Sequence, residues 1–356
     1  MRLFIDARWV RTDFHDGISR YTAGLLEGFK QNNQEVTALI HDERQRAMLP
    51  VGTHCEIVHH PISWHELFIA RKLNALGADV VFSPLQVMGV WGRKYKLILT
   101  LQDIIYYKHP KPPTSLSWYV RAVWRLFHAA KWPQRLLLNQ ADHVVTVSAT
   151  SKQFIQEYRL TDRDITVVYN APSIEKSENT TREATSIKDI IYMGSFMPYK
   201  NVETLICGVD LLSEEYRLHL LSKVSLERKQ ELLRLSSRPE KIVFHNGVSD
   251  DEYIRLLQAS HCLATATKEE GFGLPITEAQ KLSVPVVCSD LPVLREVAGE
   301  GALYFAPDDA EAFANAVLQL EQPTVRQQVT AAGNAHADQF TWSHSASVLY
   351  RLAQSV

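Results

Sequence analysis

Short apolar runs recur along the chain, and stretches with helical spacing separate them. Leu3-Phe4-Ile5 is apolar at consecutive positions, as in a strand buried on both faces. From Gly17 to Phe29 the apolar residues Ile18, Tyr21, Leu25 and Phe29 recur at helical spacing. Val36 to Ile40, Val80 to Phe82, Leu97 to Leu101, His143 to Val147 and Ile165 to Tyr169 read as further strands. Strands apolar on both faces, alternating with helices, predict a mostly parallel sheet.

The pattern breaks at Ala171 to Ser186, a stretch with Pro172, several Ser and Thr, mixed charges and no periodicity. It reads as an exposed linker. A second α/β series follows, with strands at Asp189 to Met193, Arg217 to Leu221, Ile242 to Phe244, Cys262 to Ala266, Val284 to Cys288 and Ala302 to Phe305. Helices are predicted at Asn201 to Leu212, Asp250 to Ala259, Pro275 to Lys281 and Ser343 to Gln354. The expected division is a domain of residues 1–170 with 341–356, a linker of 171–186 and a domain of 187–340. Two open sheets on one chain place a ligand cleft at their carboxyl ends.

Length agrees with this division, because 356 residues suit about two domains. With 46% hydrophobic and 22% charged residues the chain is globular rather than disordered. Its 38 basic and 40 acidic side chains nearly cancel, so nothing global favours nucleic acid as a partner. Cys55, Cys207, Cys262 and Cys288 lie far apart and read as four buried reduced thiols rather than a metal or redox motif. The first residues lack the apolar stretch of a signal peptide, and no run of about 18 apolar residues occurs. The expected location is therefore cytoplasmic.

The chemistry concentrates in Thr267-Lys268-Glu269-Glu270-Gly271-Phe272-Gly273-Leu274-Pro275-Ile276-Thr277-Glu278-Ala279, between a strand and a helix. Gly271 and Gly273 let the backbone approach a ligand closely. Pro275 suits the first turn of a helix, whose N-terminal N–H groups form an anion site. Glu270 and Glu278 flank that turn. Two carboxylates around a phosphate cradle suit a ligand with hydroxyls at both ends and a diphosphate between, as in a nucleotide sugar. A surface loop with a glutamate cap is the plain competing reading.

Glu270 and Glu278 around Gly-Phe-Gly-Leu-Pro resemble the paired-glutamate signature of glycosyltransferase family 4. Three further segments resemble the family in the expected order: Tyr192-Met193-Gly194-Ser195 with Pro198-Tyr199-Lys200-Asn201, then Phe244 to Glu252, then Pro285 to Asp290 with Arg295-Glu296-Val297. The match is strong over about 185–310 and weaker at Asp16 to Tyr21 and Val147-Ser148-Ala149. The resemblance implies a GT-B fold, in which two Rossmann-like open-sheet domains face a central cleft and the last helix crosses back to the N-terminal domain. It implies a retaining hexosyltransferase. Glu270 would approach hydroxyls of the donor sugar, and Glu278 would hold the ribose. Backbone N–H groups at Gly271, Phe272, Gly273 and Leu274 would meet the diphosphate, and Val248 would contact the base. Lys200 would neutralise the departing phosphate, a charge that a preorganised cation stabilises. Gly17 would bring backbone N–H groups to the diphosphate from the N-terminal domain, with Arg20 one turn further on.

Two positions depart from the family. Ser195 stands where an arginine is frequent, so a second phosphate cation is missing or comes from elsewhere. Gln102-Asp103 stands where a His-Asp pair is frequent. Glutamine donates to a sugar hydroxyl but carries no proton at neutral pH, which leaves Asp103 as the site residue there. No metal or other cofactor is expected. Asp162-Arg163-Asp164 is literally a D-x-D triplet, yet its place before a strand favours a turn of solvated charges. The donor motif is most similar to that of mannosyltransferases using GDP-mannose, and the implied acceptor is a hydroxyl of a glycan or lipid-linked acceptor in surface polysaccharide or lipopolysaccharide synthesis. UDP-sugar transfer, nucleotide-sugar epimerisation and non-catalytic sugar binding are the competing readings. Residues 108–135 hold Lys108, Lys111, Arg121, Arg125, Lys131 and Arg135 among Trp118, Tyr119, Trp124, Phe127 and Trp132, with no Asp or Glu. That mixture suits a peripheral contact with an anionic membrane, against the plainer reading of a packed helix with a solvated basic side.

Overall fold

The structure, a computed structural model, describes residues 1–109, 118–174 and 187–356. The chain divides into two compact units. The first is Met1–Ala171 with Phe340–Val356, and the second is Pro172–Gln339.

The first unit is built on seven strands: β1 (Leu3–Asp6), β2 (Thr37–Ile40), β3 (His54–Ile57), β4 (Val80–Ser83), β5 (Lys96–Thr100), β6 (His143–Thr146) and β7 (Ile165–Val167). Their order is β3-β2-β1-β4-β5-β6-β7, and every neighbouring pair is parallel. The order reverses between β1 and β4, where Ile5 stands between Ala38 and Phe82. Alternation along the strands divides the core. Phe4, Val81, Leu97 and Leu99 pack with Ile69, Leu73 and Leu138 from helices on one face. On the other face Tyr21 lies 6.3 Å from Phe82 and 6.1 Å from Trp342, ring centre to ring centre.

Trp342 opens the last helix, Trp342–Ser355, which returns to the first unit and lies along the Gly17–Gln31 helix. Gly24 and Gly28 make that approach possible. A Cβ at Gly24 would stand 2.1 Å from the Trp342 ring, and one at Gly28 would stand 2.1 Å from the Trp342 carbonyl. Asn32 Nδ2 donates to Ser343 O at 2.8 Å, and Ser345 Oγ to Tyr169 O at 2.7 Å.

The second unit has six strands: β8 (Lys188–Tyr192), β9 (Tyr216–Leu220), β10 (Ile242–Phe244), β11 (Cys262–Thr265), β12 (Val286–Ser289) and β13 (Leu303–Phe305). They are parallel in the order β10-β9-β8-β11-β12-β13. The order reverses between β8 and β11. Ile190, Leu218, Ala264 and Val287 form one core with Leu205, Ile206 and Phe313 of the covering helices.

Several sequence expectations need correction. β3 carries no apolar run, because as an edge strand it leaves His54 and Ile57 exposed. β12 begins at Val286 rather than Val284, because Pro285 has no N–H for the ladder. The Val202–Asp210 helix starts after Asn201, whose φ of 52° lies in the left-handed region. Cys55 is half-buried and Cys207 exposed, so only Cys262 and Cys288 are buried; all four are free thiols. Cys207 falls on the outer side of its helix between buried Ile206 and Gly208. The stretch read as an exposed linker begins inside the fold, since Ala171 and Ile174 are buried. Its remainder, 175–186, lies outside the described residues.

Candidate active site

In open parallel sheets ligands collect at the carboxyl ends of the strands where the order reverses. In the second unit that place is set by β8 and β11. After β8, Tyr192 Oη donates to Ser195 O at 2.6 Å and folds the chain back on itself. Burial raises the Tyr192 hydroxyl well above its ordinary range, with the charge of Glu270 adding to the effect, so it stays a donor. Gly194 N donates to Ser222 Oγ at 3.2 Å, which ties this loop to the one after β9. The chain then makes a single 3₁₀ turn, Pro198–Lys200, and passes through Asn201. Asparagine tolerates the left-handed conformation better than most residues. Here Asn201 Nδ2 also donates to Pro307 O at 2.6 Å and to Thr204 Oγ1 at 3.0 Å. Lys200 is presented by this turn.

The loop after β11 meets it. Lys268 N donates to Tyr199 O at 2.7 Å, and Thr267 Oγ1 donates to Glu269 O at 2.7 Å. Lys200 Nζ and Glu270 Oε2 stand 2.5 Å apart, with side chains only 16% and 20% exposed. Gly271 N points back to Glu270 Oε1 at 3.3 Å. Phe272 is buried. Gly273 has a φ of +100°, which favours glycine, and it caps the Leu274–Lys281 helix with Pro275 in the first turn. The N-terminal N–H groups of a helix favour an anion. On this helix Glu278 is buried and accepts from Tyr253 Oη at 2.9 Å.

A third loop follows β10. Asn246 and Gly247 both have positive φ, 58° and 104°. Gly247 N donates to Leu221 O at 2.8 Å, and Val224 N donates to Asn246 Oδ1 at 3.1 Å. Val248 follows, half-buried, and Ser249 then caps the Asp250–Ala259 helix. His245, at the root of this loop, is 3.0 Å from His219, which in turn is 3.0 Å from Asp189. Burial lowers the pKa of His245, and the nearby His219 lowers it further.

Lys200, Ser195, Gly271, Phe272, Gly273, Leu274 and Val248 thus all lie in loops and helix starts after strands of the second sheet, and Glu278 lies one turn into the Leu274–Lys281 helix. Asp103 and Gly17 belong to the first unit. Asp103 Oδ1 accepts from Ile105 N at 2.9 Å, at the start of the short Ile105–Lys108 helix, and Gln102 Nε2 reaches Pro84 O at 3.4 Å. Gly17 is exposed at the start of its helix, and a Cβ there would meet nothing within 4 Å. Arg20 is half-buried on the same helix. Of the D-x-D triplet, Asp162 is held by Arg135 at 2.5 Å and Asn139 at 2.9 Å.

Sequence reasoning passed over Tyr253 and the contacts that join Asp189, His219 and His245. It also missed an ion network at the end of β1. There Arg8, 2% exposed, donates to Asp6 at 2.7 Å and to Glu66 at 2.6 Å.

Part of the basic stretch, 110–117, lies outside the described residues. In the remainder Lys108 sits 3.7 Å from the Phe154 ring centre and Lys131 4.5 Å from that of Tyr158. Trp124 packs edge-on against Tyr106 at 5.0 Å. Trp118, Leu126, Trp132 and Leu136 are exposed. Among the described residues no helix is long and apolar enough to cross a membrane.

The two parallel sheets have the architecture of GT-B glycosyltransferases. The chain is similar over its whole length to sucrose-phosphate synthase from Thermosynechococcus elongatus, with a TM-score of 0.77 and 17% identity, covering 100% of this chain and 98% of that one. More narrowly, residues 173–335 match the family model described as "Glycosyl transferases group 1", and residues 15–176 match "Glycosyltransferase Family 4". Both matches are to glycosyltransferase models, and together they span residues 15–335. Among curated relatives it is 30% identical over 192 residues to the O-antigen chain mannosyltransferase RfbU of Salmonella typhimurium, covering 53% of each chain. It is 34% identical over 161 residues to O-antigen chain mannosyltransferase B of Escherichia coli, covering 43% of this chain and 42% of the relative. The chain thus matches about half the length of these relatives.

Proposed function

We propose that the protein is a retaining mannosyltransferase that moves mannose from GDP-mannose to a hydroxyl of a glycan or lipid-linked acceptor, in the synthesis of a surface polysaccharide such as lipopolysaccharide. The observation that carries this reading is the Lys200–Glu270 pair at the switch point of the second sheet, one loop away from buried Glu278. That the O-antigen relatives are mannosyltransferases favours mannose.

In the resting site Lys200 and Glu270 neutralise each other. A donor diphosphate competes for Lys200, and Glu270 is released to accept hydrogen bonds from sugar hydroxyls. The bond between the anomeric carbon and the phosphate oxygen then breaks. Negative charge collects on the departing phosphate, where Lys200 lowers the barrier. The acceptor hydroxyl attacks from the same face and gives its proton to the departing phosphate. Glu278 holds the ribose, and the Asn246-Gly247-Val248 loop holds the base. The first unit, with Asp103, takes the acceptor. The cation at the phosphate is Lys200, so transfer needs no metal and continues in the presence of a chelator. The exposed Trp118, Leu126, Trp132 and Leu136 with their basic neighbours rest on the anionic cytoplasmic face of the membrane.

A thermal-shift panel of GDP, UDP, ADP, GDP-mannose and UDP-glucose tests the reading. A ligand at about 100 times its dissociation constant stabilises by about 2.7 kcal/mol. GDP and GDP-mannose should give the largest shifts. No shift with any nucleotide defeats the proposal, and larger shifts with UDP compounds move the donor to a UDP-sugar.

A further inference from the structure

Glu278 is 3% exposed, and a carboxylate so deeply placed needs a donor to hold its charge and its rotamer. Tyr253 Oη supplies one, at 2.9 Å from Oε2. Tyr253 is itself 3% exposed. It lies one turn into the Asp250–Ala259 helix, whose cap, Ser249, directly follows the Asn246-Gly247-Val248 loop. The helix that begins after the Asn246-Gly247-Val248 loop therefore ends one of its side chains on Glu278.

We propose that Tyr253 is a positioning residue for nucleotide binding. Its hydroxyl fixes one oxygen of Glu278 so that the carboxylate meets the ribose in a single orientation. It also couples the base loop to the ribose contact, so that the nucleoside half of a donor is recognised as one rigid piece. The diphosphate half, around Lys200, is held by different loops and does not depend on Tyr253. This inference rests on the nucleotide-sugar reading above.

Tyr253→Phe keeps the ring and its packing and removes only the hydroxyl. Binding of GDP and of inorganic pyrophosphate is measured by calorimetry for wild type, Tyr253→Phe, Glu278→Leu and the double variant, with kcat and KM for GDP-mannose. Tyr253→Phe should weaken GDP about tenfold, the size of one hydrogen bond to a charged group. KM should rise by the same factor with kcat unchanged, and pyrophosphate affinity should stay at the wild-type value. In the Glu278→Leu background, which offers the hydroxyl no acceptor, the second substitution should add nothing, since residues acting through one contact are not additive. Unchanged GDP affinity in Tyr253→Phe overturns the proposal. So does a loss that is equal in both backgrounds, or one shared by pyrophosphate, because either marks a general structural role. Failure of the wild type to bind any nucleotide overturns instead the function on which the inference rests.

Discussion

Replacing Lys200 with methionine keeps the length of the side chain and removes its charge. Two consequences can be worked from the geometry. In the resting protein Glu270, 20% exposed, loses the partner that stands 2.5 Å away. Leaving such a group without its partner costs about 1–3 kcal/mol. Melting then falls by about 2–12 °C, at about 2–4 °C per kcal/mol for a unit of this size. In the reaction, two unit charges about 4 Å apart attract by about 4 kcal/mol at an effective dielectric constant of about 20. Lys200 is 16% exposed, and solvent screening leaves about 2–3 kcal/mol of that attraction at the departing phosphate. Each 1.36 kcal/mol is tenfold in rate, so kcat should fall about a hundredfold. The assay is release of nucleoside diphosphate at saturating donor and acceptor, at least 10 °C below the variant's melting temperature by design. A fall in kcat of less than about threefold, with donor saturation verified, refutes the role given to Lys200.

Gly24→Ala puts a methyl group against Trp342 and should destabilise the first unit by about 1–3 kcal/mol, read from the denaturant midpoint. A wild-type midpoint would mean that the last helix tolerates displacement there. Burial, with Arg326 adding to it, lowers the pKa of His261 to about 4. An unfolded histidine takes up its proton near 6.5. Between those values the unfolded chain binds the extra proton, so stability should fall as pH drops from about 6.5 to about 4, with no contribution from His261 above that range. His261→Asn should flatten the slope; an unchanged slope assigns it to other groups. The protein should co-sediment with vesicles containing anionic lipid at low salt, and Trp118→Ser with Trp132→Ser should reduce this. No sedimentation of the wild type sinks the membrane contact.

How far the molecule was legible in its sequence depends on the range of each interaction. Strands buried on both faces announce themselves as apolar runs, which is why β1, β4 and β11 stand out and the exposed edge strand β3 does not. Glu270 and Glu278 are legible because their spacing around two glycines is local. That Lys200 lies on Glu270 is not, since 70 positions separate the two. Tyr253 illustrates the same limit. It is buried within its helix, and nothing local in the sequence marks it. Only its hydroxyl matters here, and the partner of that hydroxyl is 25 positions away. Asp6 and Arg8 are neighbours, yet the third member of their network, Glu66, comes from a turn 58 positions on.

The return of the final helix to the first unit bears on how the chain is made. The second unit, Pro172–Gln339, is one continuous segment lying inside the first. On the ribosome the second unit can therefore finish folding while the first still lacks a wall. Until Trp342 emerges, the groove at Gly24 and Gly28 stands open, and Tyr21 lacks the ring that covers it. Such exposed apolar surface is what makes partly folded chains aggregate. A polypeptide without the Trp342–Ser355 helix would keep every loop of the candidate active site and still leave its first unit unfinished, so loss of that helix should damage the protein far more through its folding yield than through its chemistry.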